Sequence, residues 1–214
     1  MILVPTRSPE DWRALLADPL TQWRAGYSAM SAALCWERAG GLPPEVAALL
    51  GPKATLLLAI PEHKVALPGG GRASQCDVFA LVRQGDDTIS LTVEAKAAEP
   101  FGPLLGDWLA EASPGKAARL AAICGLLGRS DPPSSLRYQL LHRTAAAIIE
   151  ARRFGTGRAA MIVQSFSAHA QWHDDFIAFC GWLGTAPAMG SPADIALPDG
   201  RRLTLGWAQS PLPQ

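Results

Sequence analysis

Residues 74–101 read SQCDVFALVRQGDDTISLTVEAKAAEPF. Two runs rich in apolar and β-branched residues, Cys76–Arg83 and Thr88–Ala97, flank the turn signal Gln84-Gly85-Asp86-Asp87. Gly-Asp-Asp between such runs predicts a β-hairpin. With those four residues as the loop, Arg83 faces Thr88 and Asp77 falls directly opposite Glu94. One face then collects Cys76, Val78, Ala80, Val82, Ile89, Leu91, Val93 and Ala95, all apolar. The other carries Asp77, Phe79, Leu81 and Arg83 against Thr88, Ser90, Thr92, Glu94 and Lys96. A slip of one residue would mix the two sets, so the hydrophobic pattern supports the register.

That register has a chemical consequence. Directly opposed residues have Cβ atoms about 4.5–5.5 Å apart, and two carboxylates at that spacing repel. A divalent cation removes the conflict, because Mg2+ sits on one or two carboxylates together with phosphate oxygens. Lys96 lies two residues beyond Glu94 and so points to the same face. Two acids and an ammonium at a strand end suit metal-assisted phosphodiester hydrolysis.

Asp77, then Glu94-Ala95-Lys96 on the following strand, then a long helix bearing Gln139 and a further apolar strand, resembles the PD-(D/E)XK nuclease-like superfamily. The resemblance covers roughly Tyr27 to Phe166. It departs from the namesake pattern at Cys76, where Pro is often found. It implies an α/β fold with a restriction-endonuclease-like core: a central mixed β-sheet flanked by helices. It also implies Mg2+ or Mn2+ on Asp77 and Glu94, helped by the Ala95 carbonyl, with Lys96 positioning the attacking water. By the same resemblance Glu37, on the first core helix, adds a metal ligand. Gln139 projects toward the site, with Tyr138 and His142 behind it. Nucleic acid, DNA or RNA, is the implied partner. Glu99, close after the strand, is close enough in sequence to reach the same end of the site.

Composition bounds this reading. The chain has 214 residues, 49% of them hydrophobic, which suffices for one domain with a sizeable core. Lys plus Arg equals Asp plus Glu at 19 each, so the chain as a whole exerts no pull on a polyanion, and a nuclease would need a local basic groove. The alternative keeps the fold without the chemistry: a binding or regulatory module in which Lys96 neutralises the acid pair. Cys35, Cys76, Cys124 and Cys180 form no CxxC pair, which argues against zinc and for free thiols in a reducing cytoplasm. The four apolar residues before Thr6 make neither a signal peptide nor an anchor, and no run is long enough to span a bilayer.

The rest of the chain reads as one domain, 1–214, with its core at about 27–166. Helices are expected from Pro9 to Ala17, over Tyr27–Ala39 with Met30, Ala33, Leu34 and Glu37 on one stripe, and over Leu42–Leu50. Thr55–Ile60 reads as the first strand, followed by a polar patch with a lone, exposed His63. Pro68-Gly69-Gly70-Gly71 reads as a flexible connector. About 104–129 forms a helical insertion that carries Lys116, Arg119 and Arg129. Leu136–Arg153 is the longest helix, and Ala159–Phe166 a strand buried on both faces. A C-terminal helix plus β-hairpin fills 167–210, and the last residues, to Gln214, are expected to fray.

Overall fold

The computed structural model describes residues 6–111 and 113–213. The apolar opening Met1–Val4 and the terminal Gln214 fall outside the described residues. Eight helices and six strands follow in the order α1 (Pro9–Arg13), α2 (Pro19–Gln22), α3 (Ser28–Ala39), α4 (Pro44–Leu50), β1 (Thr55–Val65), β2 (Ser74–Gln84), β3 (Asp87–Lys96), α5 (Leu105–Leu109), α6 (Pro114–Leu127), α7 (Tyr138–Arg153), β4 (Arg158–Ser165), α8 (His173–Trp182), β5 (Ala193–Ala196) and β6 (Arg202–Gln209), counted among the described residues.

The strands make one mixed sheet in the order β1-β2-β3-β4-β6-β5. β1, β2 and β3 are antiparallel neighbours; β3, β4 and β6 run parallel; β5 closes the far edge antiparallel. The hairpin register is the expected one: Arg83 pairs with Thr88, and the ladder continues to Val78 opposite Val93. The parallel β3–β4 pair needs a long connection, and α5, α6 and α7 supply it.

The alternation along the hairpin sorts the two layers. Val78, Ala80, Val82, Ile89, Leu91 and Val93 pack beneath Trp12, Ala33, Trp36, Leu49 and Leu50 of α1, α3 and α4. On the opposite face α7 lies over β3 and β4. Its Leu140, Leu141, Ala145 and Ile148 join Met161, Val163, Leu205 and Trp207 in the larger core cluster. Each Val, Leu, Ile or Met side chain among them contributes about 1.5–3 kcal/mol when fully buried. α7 is buried nearly all round, which explains its Ala145-Ala146-Ala147 run: small side chains let sheet and helices approach from several sides. Gly206 serves the same end on β6, because a Cβ there would lie 2.9 Å from Leu49 Cδ1 of α4.

Four local expectations need correction. β1 does not stop at Ile60 but runs through Glu62-His63-Lys64 to Val65, because β2 pairs with it along that whole length. The buried stripe of α3 is Ser31, Ala32, Ala33 and Trp36 rather than one containing Met30 and Leu34, since the Trp36 indole donates to Gln164 Oε1 on β4 at 3.0 Å. His63 is half-buried, with its ring 4.9 Å from Phe79 and its Nε2 3.5 Å from the buried Glu150. The exposed glycine connector is held against α6 at Gly69, where a Cβ would lie 2.8 Å from Arg119 N. The insertion's cations are turned inward, Lys116 to the Trp108 carbonyl and Arg119 to the Arg72 carbonyl. Among the described residues no helix is long and apolar enough to cross a membrane.

Candidate functional site

Where β2 and β3 leave the regular ladder, β1 and β2 both change face. In β1, Glu62 has φ +52°, a left-handed conformation that side chains rarely adopt and that tends to cluster at functional sites. Before it Ile60 pairs with Phe79; after it His63 stacks on that same Phe79, so the alternation has inverted. In β2, Val78 faces α3 and α4, whereas Cys76 packs with Val65 and with Ala146 of α7. Cys76 therefore lies on the opposite face from the one the hairpin pattern assigns it. Asp77 sits at the inversion. Instead of extending the ladder, its Oδ2 accepts the Ala95 backbone N–H at 2.6 Å.

The inversion brings Glu62 and Asp77 to the cavity into which Glu94, Lys96, Gln139 and Arg143 also face, a space of about 360 Å³. Glu94 is its anchor, 1% exposed. Glu94 Oε1 accepts from Lys96 Nζ at 2.5 Å and from Gln139 Nε2 at 2.6 Å, and Oε2 accepts from Arg143 Nε. Arg143 also donates to Ser74 Oγ at 3.0 Å, and that hydroxyl lies 2.9 Å from His142 Nδ1. The Lys96 ammonium lies 5.3 Å from the centre of the Phe101 ring, a cation–π arrangement.

The four carboxylates at the cavity differ. Glu99 is spent on backbone: Oε1 accepts from Ser28 N, at the start of α3, and Oε2 from Ala97 N. Burial alone would raise Glu94, but the Arg143 guanidinium and the Lys96 ammonium outweigh it and hold this carboxyl down to about 2. Asp77 goes the other way, pushed up to about 7 by burial and by the Glu94 charge against the pull of Lys96 and Arg143. Burial and the neighbouring Asp77 push Glu62 up to about 8. Three acids, Glu62, Asp77 and Glu94, thus share two cations, and burial together with mutual repulsion favours the protonated forms of Glu62 and Asp77. Asp77 Oδ1 and Glu62 Oε1 accept no hydrogen bond from the described residues, while Glu62 Oε2 accepts from Gln75 Nε2 at 2.7 Å. Gln139 Oε1 is buried without a partner among the described residues.

The sequence-derived set is thus divided. Asp77, Glu94, Lys96 and Gln139 line one cavity. Glu37 does not: its Oε1 accepts from Thr6 Oγ1 at 2.5 Å and from the Trp12 indole at 2.7 Å, which ties the N-terminal segment to α3. Tyr138 stacks on Trp108 at 3.8 Å, away from the acids. His142 lines an adjoining cavity, its imidazole pushed down to about 3 by burial and the Arg143 charge. Glu62 and Arg143 were missed. Arg143 lies four residues after Gln139, one helical turn along α7, and that spacing could have placed it beside Glu94. Pro61, just before Glu62, marks an irregular edge strand, but it does not say which way Glu62 turns.

A pH dependence follows from the raised carboxyls. Asp77 and Glu62 bind a proton more tightly folded than unfolded, so their contribution to stability is complete below about pH 4 and is lost as pH rises through 7 and 8. His142, depressed in the fold, acts oppositely but only below its ordinary value of 6.5. Between about pH 6.5 and 8.5 the first effect stands alone among these groups, so the thermal midpoint of the metal-free protein is expected to fall across that interval. Scanning calorimetry in EDTA checks this, and a midpoint that rose with pH would contradict the carboxyl assignments.

The chain belongs to a family described as a domain of unknown function, DUF6946, whose pattern matches residues 5–212. Neither a curated protein nor a solved structure matches the chain.

Proposed function

We propose that this member of the DUF6946 family hydrolyses phosphodiester bonds of DNA or RNA with the help of Mg2+ or Mn2+. The observation that carries the reading is a cavity where three carboxylates meet two cations, so that one acid lacks a cationic partner, beside two carboxylate oxygens without donors among the described residues. Asp77 and Glu62 would hold the ion, with Glu94 behind them. The donor set fits: hard oxygen ligands suit Mg2+, which takes one or two carboxylates and keeps several waters. Among the described residues no group of three His, Cys, Asp or Glu side chains is arranged to hold an ion by itself. A site completed by water and phosphate oxygens needs no such group. The bound ion would supply an activated water and charge neutralisation at the phosphate.

The protein's own groups have separate tasks. Lys96, oriented by Glu94 Oε1, donates to a phosphate oxygen as charge builds there. Gln139 donates through its Nε2 to Glu94 and helps to fix that carboxylate beside the ion. Arg143 holds Glu94 ionised and in place. The β1-β2-β3-β4 order with helices on both faces supports a restriction-endonuclease-like core. All four cysteines are free thiols, which supports a reducing, cytoplasmic setting.

A second reading, a catalytically silent binding or regulatory module, is favoured by one observation: both Glu94 oxygens are already occupied by Lys96, Gln139 and Arg143. Incubation with labelled single- and double-stranded DNA and RNA in Mg2+, Mn2+ or EDTA separates the two. The nuclease reading expects cleavage in either cation and none in EDTA. Absence of cleavage on every substrate would leave the silent module.

A further inference from the structure

We infer that the site takes a single strand of nucleic acid, laid between Tyr27 at one end and Lys64 with Arg72 at the other, and that it rejects an intact duplex. The inference rests on the phosphodiester reading above and adds the form of the substrate.

Two adjoining cavities, of about 360 and 800 Å³, share Gln22, Glu62, Asp77 and Arg143. The acids therefore stand at a junction rather than at a dead end. The first cavity reaches Tyr27, a ring 43% exposed whose face lies 5.9 Å from the Arg24 guanidinium. The second reaches Lys64 and Arg72, both exposed, and neither has an ion-pair partner among the described residues. An exposed aromatic ring and unpaired cations on either side of a hydrolytic centre are the two elements that hold a single strand: a π-face for a base, and positive charge along the backbone.

Two further facts argue against a duplex. Glu94 and Lys96 are 1% and 5% exposed, and the α1–α2 segment lines both cavities with Leu16, Ala17, Asp18 and Gln22. A phosphate fixed in a stacked helix does not reach so recessed a pair, whereas a flexible single strand bends into it. A duplex binder also commonly neutralises about 6–10 phosphates. This chain, with 19 basic and 19 acidic residues, offers only a short local track.

The test uses fluorescein-labelled oligo(dT) and oligo(U) of about 12 nucleotides, within the span of one such groove, and a blunt duplex of equal length. Binding is read by anisotropy in EDTA and cleavage in Mg2+. Either single strand is expected to bind at least about tenfold more tightly than the duplex, the equivalent of 1.4 kcal/mol. Comparison of the two strands assigns DNA, RNA or both. Tyr27→Ala should weaken single-strand binding by about 5- to 150-fold, and Tyr27→Phe should retain it. Lys64→Ala with Arg72→Ala should flatten the dependence of log affinity on log salt by about 1.4. All three positions are exposed, so these variants should fold. Equal binding of duplex, binding of no strand, or affinity unmoved in both variants would overturn the inference. Cleavage confined to duplex would overturn it and leave the proposed hydrolysis standing. Tight single-strand binding without cleavage would sustain it and remove the hydrolysis.

Discussion

Replacing Glu94 with Ala is expected to destabilise the protein by about 3–5 kcal/mol, the cost of removing one partner from a buried ion pair. Glu94 is 1% exposed and is the acceptor for Lys96, Gln139 and Arg143. Without it an ammonium and a guanidinium, 5% and 8% exposed as residues, would remain in the cavity with Asp77 and Glu62 as their nearest compensation. Folded domains commonly hold only about 5–15 kcal/mol in total, so the variant would sit near the edge of folding. Urea denaturation at pH 7 measures the loss. Should the Ala variant not fold, Glu94→Gln keeps the shape and one acceptor oxygen while removing the charge, and is expected to lose less. A second change separates charge from packing. Arg143→Met in the Glu94→Ala background should recover part of the loss, because one stranded cation is gone. A loss below about 1 kcal/mol would mean that the cations are as well solvated without Glu94 as paired with it.

Asp77→Asn is expected to have the opposite character: little effect on folding and a large effect on chemistry. Asn retains an oxygen that can accept the Ala95 N–H, and the change removes one unit from the acid surplus. The thermal midpoint at pH 8.5 should therefore hold or rise, since the charge that burial and Glu94 oppose is no longer there. Cleavage should fall by at least about 100-fold, beyond the 10- to 100-fold typical when only an outer-shell partner of a metal site is lost. The contrast between the two neighbours is the informative result. Both are carboxylates on adjacent strands, yet Glu94 is fully paired and Asp77 keeps an oxygen without a donor among the described residues. A drop in midpoint with Asp77→Asn as large as that with Glu94→Ala would make both residues parts of one structural cluster.

How much of this was legible in the sequence depends on the length over which regular geometry lasts. The hairpin register followed from turn chemistry and period-2 alternation, and both hold from Gln84 to Val78. Glu94 and Lys96 lie on the regular part of β3, so their shared face followed as well. Asp77 reaches the same cavity as Glu94 and Lys96 for a different reason than strict pairing. It sits at the break in alternation, and its carboxylate takes the place of a ladder carbonyl at the Ala95 N–H. One residue beyond the break, the alternation no longer predicts the face. Cys76 changes face, and Glu62 enters the site through a positive φ that no propensity for Glu would suggest. Glu37 failed differently: it lies on the expected helix, but Trp12 and Thr6, distant in sequence, hold its carboxylate away from the cavity. Trp36 set the rotation of α3 through a hydrogen bond to Gln164 across 128 positions, a tertiary contact that helical periodicity does not contain.

The central claim is that Glu62 and Asp77 hold, near neutral pH, a proton that a divalent cation displaces. Isothermal titration of Mn2+ into the metal-free protein at pH 7, in two buffers of different ionisation enthalpy, reads that exchange directly. The account predicts saturable binding with net proton release in the wild type, and neither in Asp77→Asn. Binding without proton release, or no binding to the wild type at all, would contradict it.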